Sequence, residues 1–363
     1  MANTETLKYK KLSNFFLEEI RNGKYGLGKK LPSERELAKK YNFAHMTVNK
    51  ALNGLVATGH LERRRGDGTY VTEHTLPKTA CLILDYMDDM HAMFPYTLQK
   101  ILFDAGFIVT VFDTLQVSQM TGMLKTYLSN YPDLLILDGW CKFPFELLKA
   151  IPEATKKIIF QRCETKPVFD ASYVLIDSEK CGYLATKTLI LSGRQRIGIV
   201  LGTLRNKYAN ANLFHSGCQK ALAEFKVENA VFIKHNSSSE LEGIIIPEGD
   251  AIKMLQGKNR LDGIVGSMDC ELIPFITAAN KLGISIPEQL SLIGRYNTPW
   301  SEEYKLTSVD VQPNLIVENI KTILNLKENK KIMVAPKIVF RESCPQVNKI
   351  NPIEKGEKTF MCA

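Results

Sequence analysis

The sequence predicts an α/β protein made of two doubly wound parallel sheets, preceded by a small N-terminal module of three helices and a two-stranded hairpin. Three observations carry that expectation. From Thr79 onward, short apolar runs alternate with amphipathic segments, the pattern of parallel strands joined by crossover helices. About ten such runs occur, too many for one small doubly wound domain and natural for two. The first 75 residues differ, showing helical periodicity that ends in a glycine-rich hairpin.

Within the N-terminal module, Leu12, Phe15, Phe16 and Ile20 recur at helical spacing and Gly23 stops the run, which gives a first helix. Ser33 and Glu36 have the spacing of a capping box, so a second helix starts at Ser33 and ends near Tyr41. Asn42-Phe43-Ala44 forms a turn. A third helix follows with Val48, Ala51, Leu52, Leu55 and Val56 on one face, stopped by Gly59. Residues 61–65 and 69–71, joined by Gly66-Asp67-Gly68, read as a hairpin.

In the longer part, strands are expected at 80–84, 107–112, 134–137, 157–160, 173–176, 198–201, 231–233, 263–266, 290–293 and 337–340. Helices fall at 94–105, 182–191, 211–225 and 272–282. The stretch 236–256 mixes a helix-like start with an Ile-rich run broken by Pro247 and receives no boundary. From Pro345 the chain is polar and Lys-rich, as a frayed end would be.

Composition narrows the function. Of 363 residues, 45% are apolar and 24% charged, which suits a folded core and two or three domains. The net charge of +8 is concentrated: residues 1–75 hold 14 Lys and Arg against 8 Asp and Glu. No long apolar run occurs and the start MANTETLKYKK lacks the core of a signal peptide, so no membrane contact is expected and the cytoplasm is the expected compartment. The eight cysteines are scattered without zinc spacing and are expected to be reduced thiols, so no metal and no cofactor is expected. Asp85, Asp88 and Asp89 beside His91 read as solvated loop acids rather than a metal site. The chain also lacks nucleophile-elbow, phosphate-loop and zinc-protease motifs.

A helix can enter the major groove of DNA with its N-terminal residues against base edges while the helix before it crosses the backbone. On that leading end of the third helix lie His45, Met46, Thr47, Asn49 and Lys50. Arg63, Arg64 and Arg65 flank the hairpin tip, where Gly66 and Gly68 let backbone approach backbone, as phosphate or minor-groove contact requires. In the sheets, several strands end in polar or glycine residues, including Asp85, Gln161-Arg162, Asp177 and Met268-Asp269. Ligands of open parallel sheets bind beyond such carboxyl ends, so these residues line a candidate pocket.

LPSERELAKKY, TVNKAL and LERRRGDGTYV, in that order, resemble the winged helix-turn-helix of GntR-family bacterial regulators over about residues 5–73. The resemblance implies DNA contact by Arg35, by the start of the third helix and by the glycine tip. Two Arg positions of that family are His45 and Asn49 in this chain, so its operator is expected to differ, with Asn49 a substitute reader of adenine. VLIDSEKCGYLATKTLILSGRQRIGIVLG, LDGIVGSMDCELIPFITAANKLGISIPEQLSLIG and KLTSVDVQP resemble the effector domain of lactose/galactose repressors over about 79–345, and the combination is that of arabinose-type repressors. It implies a two-lobed periplasmic-binding-protein-like fold, a homodimer on a palindromic operator, and an effector bound between lobes. Where sugar-binding relatives carry Arg, Asn and Asp, this chain has Phe214, Met268 and Tyr296, with Trp300 close by. The effector is therefore expected to be sugar-like or an aromatic metabolite held by Asp85, Asp88, Gln161, Arg162, Asp177, Phe214, Met268, Asp269, Tyr296 and Trp300.

The expected division is a DNA-binding head at 1–73, a linker at 74–79, a two-lobed body at 80–345 and a tail at 346–363. The function expected is a DNA-binding transcription regulator, a repressor rather than an enzyme. An enzyme and a ligand-free dimerisation module on the same fold are the alternatives.

Overall fold

The computed structural model describes residues 2–21, 23–72, 78–84, 93–113, 119–130, 132–139, 151–160, 170–201, 209–233 and 246–344, and a few isolated positions besides. The head is α1 (Ala2–Arg21), α2 (Glu34–Tyr41), α3 (His45–Ala57), β1 (Leu61–Arg64) and β2 (Gly68–Val71). Its core holds Leu12, Phe16, Ile20, Val48, Ala51, Leu52 and Leu55 from the expected helical faces, with Leu37 added and Leu61 and Val71 closing it below, whereas Phe15 stays exposed and packs edge-on against the Tyr41 ring. The antiparallel wing gains a third backbone partner, because Leu31 N–H donates to Thr69 O and Val71 N–H to Lys29 O. The turn before α2 is thereby sewn to the wing.

The body divides into two sheets. In lobe 1 the strands β3 (Lys78–Leu84), β4 (Phe107–Asp113), β5 (Leu134–Asp138), β6 (Lys156–Phe160), β7 (Ser172–Ile176) and β13 (Lys331–Val334) lie in the order β13-β7-β6-β5-β3-β4, all parallel. The helices α4 (Met93–Asp104) and α5 (Thr121–Asn130) accompany it. β3 starts at Lys78, inside the stretch expected as linker, because Lys78 and Thr79 pair with Phe107 and Ile108.

Lobe 2 contains α6 (Ser178–Leu191), β8 (Ile197–Val200), α7 (Ala209–Glu224), β9 (Val231–Ile233), α8 (Glu248–Met254) and β10 (Gly263–Gly266). It continues with α9 (Ile273–Leu282), β11 (Ser291–Arg295), α10 (Pro299–Glu303), β12 (Thr307–Asp310) and β14 (Lys337–Val339). The sheet order is β14-β12-β11-β10-β8-β9, parallel except for β14. All ten expected strands are present. β12 and β13 were not expected: TSVD looks polar yet is wholly buried between β11 and β14, and KIMV is a half-exposed edge.

The chain passes between the lobes three times: from β7 to α6, from β12 to α11 (Pro313–Leu324), and from β13 to β14. These crossings touch. Asp177 N–H donates to Val334 O at 3.3 Å, Gln312 Nε2 to Ala335 O at 2.5 Å, and Gln312 N–H to the Asp310 carboxylate at 2.7 Å. α11 packs on α4, β7 and β13 of lobe 1, and Lys156 Nζ caps its C-terminal end through the carbonyls of Ile323, Leu324 and Leu326. Three adjacent connections between two rigid sheets make a hinge, because relative lobe motion then needs dihedral change only there.

In lobe 2, α6 and α7 cross at two glycines. A Cβ on Gly217 would sit 1.8 Å from Glu179 O, and one on Gly182 would sit 2.0 Å from Phe214 O, so only hydrogen fits at the crossing. Among the described cysteines, Cys81, Cys181, Cys218 and Cys344 are buried and Cys270 is half-buried, all free. Burial pushes Cys81 and Cys218 up to about 12, which keeps them neutral.

Candidate functional site: a DNA-reading face and an interlobe cleft

The two helix starts in the head are built differently. At α2, Ser33 Oγ accepts from Glu36 N–H (3.3 Å) and the Glu36 carboxylate accepts from Ser33 N–H (2.7 Å), the capping box expected from spacing. At α3 the cap is Ala44, which has no side-chain acceptor. Its leading amides are therefore open, with the positive end of the helix dipole beside them.

Around this end the exposed side chains are Arg35 on α2, His45, Met46 and Lys50 on α3, and Arg63, Arg64 and Arg65 at the wing, while Thr47 and Asn49 are half-buried. They are organised by a residue that sequence reasoning passed over. The Glu34 carboxylate accepts from Asn49 Nδ2 at 3.0 Å to each oxygen, pairs with Arg63 at 2.7 Å and lies 3.3 Å from His45 Nε2. One acid thus ties the leading helix to the wing. Asn49 is not a free adenine reader in this arrangement, because its Oδ1 also accepts from Asn53 Nδ2 (3.0 Å) and both ends of the amide are taken. Glu34 lay in plain sight between Ser33 and Arg35, but first-turn acids are common for dipole reasons alone.

At the tip, Gly66 and Gly68 have φ of +75° and +139°. Asp67 holds the tip by accepting from Lys30 Nζ (2.9 Å) and Tyr70 Oη (2.6 Å), and these donors keep its carboxyl below the usual range. Arg64 lies over the Tyr70 ring at 4.1 Å and pairs with Glu62, so it braces the wing. Arg35, Lys50 and Arg65 form no ion pair among the described residues, leaving three exposed cations around the open helix start.

In the body, the carboxyl ends of β7 and β13 in lobe 1 meet that of β12 in lobe 2 at the hinge, and ligands of open parallel sheets bind beyond such ends. Asp85, Asp88, Gln161 and Arg162 lie outside the described residues. Asp177 caps α6, accepting from Lys180 N–H at 2.9 Å, and sits on the hinge. Met268 and Trp300 are half-buried. Three expected contacts are buried rather than open to a pocket, among them Tyr296, 5% exposed in the core with the Arg295 guanidinium 4.4 Å over its ring. Phe214 is fully buried in the core, with the Arg295 guanidinium 4.9 Å above its ring. Asp269 is also fully buried, and both its oxygens are spent: Oδ2 accepts from Thr298 N–H and Oγ1 (2.8 Å each), and Oδ1 accepts from Ser308 Oγ (2.7 Å). Gly294 makes room for it, since a Cβ there would lie 2.0 Å from Oδ1.

Asp269 locks an unusual turn. Tyr296 and Asn297, directly after β11, have φ of +89° and +54°, conformations that cost non-glycine residues energy and persist only where neighbours hold them. The holders are Val309 O for Tyr296 N–H (2.8 Å), Ser308 Oγ for Asn297 N–H (2.9 Å) and Asp269 for Thr298. Such a turn at a strand's carboxyl end fixes where the half-buried Asn297 and Trp300 stand beyond β11. Arg295, also unforeseen, is 2% exposed, lies 4.4 Å from the Tyr296 ring and donates to Ser178 Oγ at 2.5 Å. It joins the end of β11 to the first turn of α6 beside the hinge. Glu271, fully inside the same corner, accepts from Met268 N–H and Ser267 Oγ, and burial pushes its carboxyl up to about 8, while burial raises Asp269 to about 6.

A winged helix-turn-helix joined to two hinged parallel-sheet lobes defines a class of protein, the ligand-responsive DNA-binding regulators. Comparison with known proteins agrees with that class. Residues 9–71 match the bacterial regulatory proteins of the gntR family, and residues 186–344 match the periplasmic binding protein-like domain. Over 363 aligned residues, 90% of this chain and 92% of the relative, the chain is 26% identical to the arabinose metabolism transcriptional repressor of Halalkalibacterium halodurans. It is 28% identical to the ribose operon repressor of Haemophilus influenzae over 182 residues, 48% of this chain and 53% of that protein. A LacI family transcriptional regulator from Enterococcus faecium, solved with bound ribose, superposes with a TM-score of 0.59 over 75% of this chain and all of that one; at 17% identity this likeness is one of fold. The chain is a transcription regulator with a gntR-type DNA-binding head and a periplasmic-binding-protein-like body. No helix among the described residues is long and apolar enough to cross a membrane.

Proposed function

We propose that the protein represses transcription as a homodimer: two heads grip a palindromic operator, and a sugar or sugar-like effector in the interlobe cleft controls that grip. The observation that carries the proposal is the Glu34 carboxylate, which binds α3 through His45 and Asn49 and the wing through Arg63, making helix and wing one face. The same chain holds a two-lobed body whose three crossings form a hinge. In this reading Arg35, Lys50 and Arg65 contact phosphates, Thr47 lies near base edges, and Gly66 and Gly68 bring the wing backbone to the minor groove. The head spans 1–73, and the body begins with β3 at Lys78.

The dimer rests on lobe 1. Tyr96 and Phe103 on α4, Ile108 on β4 and Met123 on α5 are 57–76% exposed, large apolar groups on elements of both faces of the sheet whose edge, among the described residues, is β4. A second copy covering them would join two bodies and space two heads.

For the effector, Trp300 supplies aromatic surface on which a sugar ring stacks, with Asn297, Asp177 and Met268 at the rim. Two relatives are named for arabinose metabolism and a ribose operon, which supports a sugar. The test is a thermal-shift screen of pentoses, hexoses, disaccharides and aromatic metabolites on the full chain. A ligand that binds the native state raises its unfolding temperature, and that ligand should also change DNA affinity. Trp300→Ala should abolish both responses; if the effector still acts on that variant, the pocket is elsewhere.

A further inference from the structure

The polar groups that ordinarily discriminate bases are withdrawn from the leading end of α3. Asn49 gives its amide protons to Glu34 and its carbonyl oxygen to Asn53; Arg63 and His45 face the same Glu34 carboxylate. To pair bidentately with adenine, Asn49 would have to break bonds at both ends of its amide. What the helix start does present is apolar. Met46 is 65% exposed, Phe43 in the preceding turn is 40% exposed, and Ala44 between them is exposed as well.

Single exposed apolar side chains are common on protein surfaces. Here two large ones stand together on the open start of the leading helix, ringed by the exposed cations Arg35, Lys50 and Arg65. A basic rim around an apolar tip is complementary to a polyanion with apolar points at its centre. The major groove offers one such point, the C5 methyl of thymine; its other edge groups are hydrogen-bond donors and acceptors.

We propose that Met46, with Phe43 beside it, reads thymine methyls in the operator half-site, while Glu34 acts as a positioning residue that holds Asn49, His45 and Arg63 back as scaffold. The inference rests on the assignment of the head as a duplex-binding module and adds the base and the side chain. Met46 stands at the second position of α3, where a side chain points forward into the groove, and its unbranched thioether adapts to a methyl without strict geometry. Glu34 contributes in a second way: a carboxylate on this face repels phosphate, so the head discriminates against arbitrary duplexes.

The experiment selects duplexes from a random-sequence pool with the full-length chain, then replaces each enriched thymine by deoxyuridine, which deletes only the methyl. Wild type should enrich half-sites with a thymine at a fixed position and lose about fourfold in affinity when that methyl is removed, the equivalent of one buried methyl group. Met46→Ala should bind the thymine and uracil duplexes equally, and Met46→Leu should restore the preference. Glu34→Gln, which keeps the shape and removes the charge, should bind unselected duplex at least about threefold more tightly and add adenine to the enriched positions as Asn49 is released. Wild-type indifference to uracil at every enriched position, or equal methyl sensitivity in Met46→Ala, would overturn the inference. Salt-sensitive binding without any enrichment would also overturn it while leaving the duplex-binding assignment intact. Failure to bind any duplex at low salt would bring down both.

Discussion

Two carboxylates, one in each half of the molecule, gather three groups apiece, and the contrast between them separates function from fold. Glu34 in the head collects His45, Asn49 and Arg63 at the protein surface. Asp269 in lobe 2 collects the Thr298 amide, the Thr298 hydroxyl and the Ser308 hydroxyl in the interior. The exposed partners of the surface cluster, Arg63 and His45, already compete with water, while Asn49 stays tied at both ends of its amide. In the interior cluster each abandoned donor would stay buried and unpaired. The cations outside the head cluster, Arg35, Lys50 and Arg65, are therefore the charges available for recognition, whereas the polar residues of lobe 2 mostly hold a turn.

The sharpest way to break this contrast is Asp269→Ala. It should cost the body about 3–5 kcal/mol in urea unfolding, since it leaves three buried donors without an acceptor, and should leave the isolated head's helical content unchanged. A loss below about 1 kcal/mol would mean that Asp269 is not the lock of the Tyr296–Asn297 turn.

The next effect is one of pH. Glu271 and Asp269 are raised in the folded state, to about 8 and about 6, so the native body binds more protons than the unfolded chain between the ordinary carboxyl range and those values. Stability must then fall as pH rises through that window, by roughly 2–4 kcal/mol between about pH 5 and pH 8. Glu271→Gln should flatten most of the slope. A body that grows more stable from pH 5 to 8 would contradict the upward shift that burial gives these acids.

The smallest of the three effects concerns the head. Arg35→Ala should weaken binding to every duplex by about tenfold and lower the salt slope by about one, without shifting the unfolding temperature, as expected of an exposed phosphate contact. Unchanged affinity would remove Arg35 from the interface.

The sequence disclosed the skeleton more completely than the sites. Apolar runs such as LLIL and GIVG are buried on both faces and so announce parallel strands by themselves. TSVD escaped notice because its Thr, Ser and Asp are buried through side-chain hydrogen bonds, among them Thr307 to Cys344 O and Ser308 to Asp269, which no apolar pattern records. The head's exposed residues were visible because helical spacing tells which positions of α3 cannot be core. What spacing could not tell was partnership: Asn49 looked like a base reader until Glu34 and Asn53 were seen to occupy it. Phe214 likewise looked like pocket lining because its family counterpart is polar, yet Arg295 on β11 stacks over its ring and keeps it in the core. Pairings across long sequence separations are written in three dimensions only.

The central claim, that a basic head grips duplex DNA through electrostatic contact around an open helix start, is tested most directly by the salt dependence of full-length binding to a labelled duplex. Arg35, Lys50 and Arg65, the cations around the open helix start that form no ion pair among the described residues, predict a log–log slope of about −2.7 per head, so affinity per head should drop roughly 40-fold between about 50 and 200 mM monovalent salt. Affinity that stays flat over that range, or no binding at its lower end, would contradict the account.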